Sequence, residues 1–129
     1  MMIDREDLIG AWRLHDFILI DGDGNRSRPW HPDSDGLLMY TANGFMSAAV
    51  ASIMAEGGER SFVSYHGPFD VYDDRVVHHI EMSSNAALVG QDNVRTPDYD
   101  GETLTLTASP SMFGGEGTSA NIVWRRADA

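Results

Sequence analysis

Two adjacent histidines, His78 and His79 in the run VVHHIE (76–81), are the residues of this chain best placed to do chemistry. Imidazole exchanges protons near neutral pH, and neighbouring residues on a strand point to opposite faces. The pair therefore cannot ligate one metal. A two-residue turn at Asp73-Asp74 pairs Tyr72 with Arg75 and sets the register outward from there. One face then carries Tyr65, Gly67, Phe69 and Val71 with Val76, His78, Ile80 and Met82, and the other the more polar His66, Asp70, His79 and Glu81. His78 is expected inward, where a dry pocket lowers its pKa and the ring can serve as general acid or base. A structural histidine, hydrogen-bonded within the core, is the competing reading. His66, His79 and Glu81 are a recognisable metal set, but a solvated polar face explains them better, and no metal or other cofactor is expected.

Five further polar residues could share a site with His78. Tyr40 and Tyr65 offer phenols to a carbonyl or enolate, or else are core residues with satisfied hydroxyls. Asp16 points inward by alternation from Trp12 through Leu14, where it could act as an acid–base partner, unless a bulge before Phe17 sends it to the rim. Arg95 is a secondary candidate as a holder of an anion or carbonyl, against an outward salt bridge. Ser47 falls opposite Tyr40 if Asn43-Gly44 is a two-residue turn. It would be a supporting group, since no Gly-x-Ser-x-Gly elbow surrounds it.

Those residues need elements to hold them, and the chain of 129 residues is one domain's worth. Asp4 is a candidate N-cap for a helical turn ended by Gly10. Short β-type runs follow near 11–20, 26–29, 37–41, 45–52, 61–72, 75–83, 90–97, 102–109 and 119–127. Gly, Asn and Asp separate them, as in an antiparallel meander. The 37–50 hairpin leaves its inward face open, with Leu38, Tyr40, Ser47 and Ala49 on one side and Leu37, Met39, Met46, Ala48 and Val50 on the other. Segments 30–36, 53–60 and 110–117 have loop character and would rim a barrel mouth, the second as a helical turn or a lid.

Composition removes several classes of function. Nine basic residues against twenty acidic ones give a net charge of −11, which disfavours nucleic acid and anionic membranes as partners. No run approaches the ~18 apolar residues of a membrane span. The chain has no cysteine, which excludes thiolate chemistry and disulfides. It has no lysine, which excludes a Schiff base. The acidic MMIDREDLIG start is not a secretory signal, so a soluble, cytoplasmic protein is expected, with a homodimer left open.

The pieces GAWRL (10–14), RPW (28–30), GLLMYTANGFMSA (36–48), YHGPFDV (65–71), VVHHIE (76–81) and VWRR (123–126) resemble, in order, the bacterial and fungal lipocalin-like domain family. The resemblance implies an all-β, single antiparallel up-and-down barrel over residues 1–129. It also implies that Trp12 packs under an arginine of the last strand, Arg126 or Arg125. Family likeness further implies a small hydrophobic or neutral ligand, and related cofactor-free barrels in biosynthetic pathways act as cyclases or isomerases. The expected activity is therefore that of an isomerase, cyclase or lyase using His78, Tyr65, Tyr40 and Asp16. Trp30, Met39, Met46, Ser47, Phe69, Ile80, Met82, Arg95, Phe113 and Trp124 are expected to line the ligand. A non-catalytic carrier or sensor is the alternative, and a filled, purely structural barrel a third reading.

Overall fold

A computed structural model describes residues 3–108 and 118–127. A helical turn, α1 (Arg5–Leu8), precedes β1 (Gly10–Ile20), β2 (Arg26–Ser27), β3 (Asp35–Tyr40), β4 (Phe45–Ile53) and β5 (Arg60–Val71). Next come β6 (Val76–His79), β7 (Met82–Ser83), a short 3-10 turn at Ala86–Leu88, β8 (Asp92–Tyr99), β9 (Thr103–Ala108) and β10 (Ser119–Arg126). Every pairing is antiparallel, and the order β10-β9-β8-β6-β5-β4-β3-β1 closes on itself because β1 also pairs with β10. The expected up-and-down barrel is the observed one, with β2 and β7 as short side pairings. Closure leaves the long strands without a free edge. The 53–60 segment is a hairpin turn rather than a helical one: the Met54 amide donates to the Glu59 carbonyl at 2.8 Å. The 110–117 loop, with Phe113, lies outside the described residues.

Alternation works as expected on β9 and β10, where Leu104, Leu106, Ala108, Ala120, Ile122 and Trp124 face the core and the residues between them do not. One end of the barrel is plugged. Trp12 is fully buried and its indole N–H donates to the Leu8 carbonyl at 2.9 Å, tying β1 to α1. The Arg126 guanidinium lies 3.9 Å over the Trp12 ring and donates to the Ile9 carbonyl at 2.7 Å and to the Asp7 carbonyl. Arg126, not Arg125, is thus the partner of Trp12. Arg126→Ala removes the stacked cation and two charge-assisted bonds at once. It should lower stability by about 2–3 kcal/mol, read as a reduced urea midpoint.

Two register details decide what faces inward. At the β3–β4 hairpin, the Thr41 amide donates to the Phe45 carbonyl at 2.8 Å and the Gly44 amide to the Thr41 carbonyl at 3.1 Å, with Gly44 at φ +98°. This is a three-residue loop closed by a left-handed glycine, not a two-residue Asn-Gly turn. It pairs Tyr40 with Met46 and Leu38 with Ala48, so Tyr40, Met46 and Ala48 are inside while Met39 and Ser47 are outside. On β1 the register against β10 slips between Leu14 and Asp16, leaving His15 as the extra residue of a bulge.

Candidate functional site

The β5–β6 hairpin has the expected register, Val71 with Val76 and Phe69 with His78, because the Tyr72 amide closes a two-residue turn on the Arg75 carbonyl at 2.8 Å. His78 therefore enters the barrel and is 1% exposed. Its Nε2 lies 2.6 Å from the Tyr40 hydroxyl and its Nδ1 2.8 Å from the Tyr65 hydroxyl. Three strands thus converge on one imidazole: β3 through Tyr40, β5 through Tyr65 and β6 through His78 itself. Burial, followed by the charges of Arg95 and His79, pushes the His78 pKa down to about 3. The ring is neutral through the physiological range. Burial likewise holds the Tyr40 phenol well above its usual value, so Tyr40 is protonated.

Beside this triad lies an internal cavity of ≈ 140 Å³. Its walls are mainly Leu38, Ala48, Val50, Val63, Leu106 and Ile122, with Trp30 and Trp124 as aromatic surfaces. Its polar lining residues are Ser52, Tyr65, His78 and Arg95. Trp30 stacks on Phe17, ring centroids 3.7 Å apart, and bridges to Met54, which fixes it near the 53–60 turn. The filled barrel is therefore not what the chain forms.

Of the residues singled out in the sequence, Trp30, Tyr65, His78, Arg95 and Trp124 line the cavity. Arg95 is inward and 4% exposed, contrary to the outward alternative. Tyr40, Met46, Phe69 and Ile80 are buried but do not line it; Tyr40 packs edge-on against Phe69 behind the histidine. Four candidates do not reach the site. Met39 is 41% exposed on the outer face. Ser47 is on that face too, 2.7 Å from His66 Nδ1. Met82 is 62% exposed because β5 pairs with β7 one residue out of step with β6. Asp16, past the bulge, lines a rim depression and pairs with Arg28 at 3.1 Å, so it cannot exchange protons with His78. Phe113 lies outside the described residues.

His79 performs a different task on the outer face. Its Nδ1 and Nε2 each sit 2.8 Å from a carboxylate, Asp92 on β8 and Asp70 on β5. These bonds, that to Asp92 first, raise its pKa, so the imidazolium ties three strands together. Among the described residues no group of three or more side chains is suited to a metal. Because the folded-state pKa of His79 lies above 6.5, its contribution is complete below pH 6.5 and fades as the pH rises through the folded value. Partial exposure keeps it below about 1 kcal/mol. Asp92→Asn should lower the His79 pKa in an NMR titration; an unchanged value would mean that the ion pair does not form.

A closed antiparallel barrel, plugged at one end by a tryptophan under an arginine and holding an apolar cavity, defines a lipocalin-type protein, a fold suited to small hydrophobic ligands. The model of the lipocalin-like domain matches residues 9–59 and 53–127, and the chain belongs to that family. No curated protein matches it. Among the described residues no helix is long and apolar enough to cross a membrane.

Proposed function

We propose that the barrel takes up one small, largely apolar molecule and acts on it without a cofactor as an isomerase, cyclase or lyase, with His78 and Tyr65 polarising a bond or moving a proton. The observation that carries this reading is the bonding of both His78 nitrogens to phenols, with His78 and Tyr65 at the wall of an apolar cavity and Tyr40 behind them. A chain of phenol, imidazole and phenol can pass a proton along its length, and an apolar enclosure holds a flexible substrate in one reactive conformer. The acidic surface disfavours nucleic acid as a partner, and the lack of cysteine suits a reducing cytoplasm.

A carrier or sensor is the second reading. It is favoured by the low pKa of His78, which makes the ring a neutral hydrogen-bonding group rather than an acid at pH 7. Native mass spectrometry after exposure of the protein to a metabolite extract, with chromatography of the released species, separates the two. A ligand released with unchanged mass and altered retention supports an isomerase or cyclase. A ligand released wholly unchanged supports the carrier, and no captured species sinks both. With the ligand in hand, His78→Ala should abolish turnover and keep binding if the protein is an enzyme.

A further inference from the structure

Buried donors need acceptors, and the triad contains an arithmetic of protons that its distances alone do not state. A neutral imidazole has one N–H and one bare nitrogen. Two phenols flank it, so one phenol donates to the ring and the other accepts from it. The Tyr40 hydroxyl is buried, and among the described residues its hydrogen-bond partner is His78 Nε2 alone. Were Nε2 the protonated nitrogen, the Tyr40 hydrogen would be left buried without an acceptor, a costly arrangement. Tyr40 therefore donates to Nε2, the ring proton resides on Nδ1, and Nδ1–H donates to the Tyr65 oxygen. That bond occupies an acceptor site of Tyr65 and leaves its own hydrogen unused. Tyr65 lines the cavity and Tyr40 does not.

We propose that the ligand is a ring-sized apolar molecule carrying a hydrogen-bond acceptor, a carbonyl or enolate oxygen, and that this oxygen receives the Tyr65 hydroxyl hydrogen, with Tyr40 acting through His78 as a positioning residue. The proposal rests on the ligand-binding reading above and deepens it. The size follows from the cavity of ≈ 140 Å³, since about 150 Å³ of apolar space is enough to take up benzene.

Benzaldehyde and styrene test it, because they share size and shape and differ in whether the side group carries an acceptor oxygen. The binding ratio of the two is measured by NMR titration of the wild type, Tyr65→Phe and Tyr40→Phe, and long-range ¹H–¹⁵N correlation locates the ring proton of His78 in the free wild type. The expected result is a proton on Nδ1 and a preference for benzaldehyde over styrene that falls about tenfold in Tyr65→Phe, the cost of a lost acceptor interaction. In Tyr40→Phe the tautomer is no longer enforced. The preference should then fall on the order of threefold, although Tyr40 does not touch the cavity, and the ¹⁵N signature should move toward protonated Nε2. A purely structural Tyr40 would weaken both probes alike and leave the ratio unchanged. A proton on Nε2 in the wild type, or a ratio unaffected by Tyr65→Phe, overturns the proposal while leaving ligand binding intact. If neither probe binds although Nδ1 carries the proton, the ligand-binding reading itself fails, and the ligand assignment with it.

Discussion

Acidification from pH 7 toward pH 3 is expected to cost the barrel about 5 kcal/mol through His78 alone, and His78→Gln should remove that share of the loss. In the unfolded chain the ring titrates near 6.5, whereas burial and the charge of Arg95 hold it at about 3 in the fold. Between those values the unfolded state binds one more proton than the native state, so stability falls as the pH falls, by about 1.4 kcal/mol per unit. The contribution is complete above pH 6.5 and is lost progressively down to pH 3. This is opposite in sign to His79 on the outer face, whose smaller contribution is lost on the alkaline side. Glutamine keeps a donor and an acceptor for the two phenols and cannot titrate. Urea denaturation across pH 4–6.5 should give a wild-type slope steeper by up to one proton than that of His78→Gln. Coincident slopes would show that His78 is protonated in the fold, and the neutral triad would then be untenable.

The inward placement of His78 was legible because a two-residue turn at Asp73-Asp74 counts residues without ambiguity. The same count put Tyr65 on the inward face with His78, but opposite Met82; the bond of its hydroxyl to His78 Nδ1 was not counted. At Thr41 to Phe45 the same reasoning leaves the inward face open and sets Tyr40 opposite Ser47 instead of Met46, since Asn43-Gly44 fits both a two-residue turn and the last two positions of a three-residue one. One added residue exchanged Met46 and Ser47 between inside and outside. Asp16 depended on a bulge at His15 that no residue type announces. Arg95 shows a different limit: isolated charges are seldom buried, and only the register of β8 against β6, Val76 with Arg95, shows that this one is. The clamp of Asp70 and Asp92 on His79 was missed for the same reason. The chain between β6 and β8 contains a 3-10 turn and a slip, so the alignment of Asp92 with His79 could not be counted from the sequence.

That slip underlies the substitution expected to do the most local damage, Gly67→Ala. Gly67 shares the inward face of β5 with Tyr65 and Phe69, where a missing side chain would make room in the barrel. The room is already filled. A Cβ on Gly67 would lie 1.9 Å from the His79 carbonyl oxygen and 3.1 Å from the Glu81 amide nitrogen, both backbone atoms. Here β6 ends and the chain steps one residue out of register before β7, so the His79 carbonyl turns over β5 where only a glycine lets it pass. Rotamer changes cannot relieve a clash with backbone, so a strand would have to move by more than about 1 Å in a close-packed wall. On one side that wall carries His78, the next residue back along the chain; on the other the Glu81 amide bonds to the His66 carbonyl at 2.9 Å. Gly67→Ala should therefore cost about 3–5 kcal/mol and disorder the Tyr40–His78–Tyr65 bonds as well. Denaturation and the His78 ring resonances, followed together, check both halves. A variant within about 0.5 kcal/mol of the wild type with those resonances unmoved would mean that the His79 carbonyl does not cross β5 at this point.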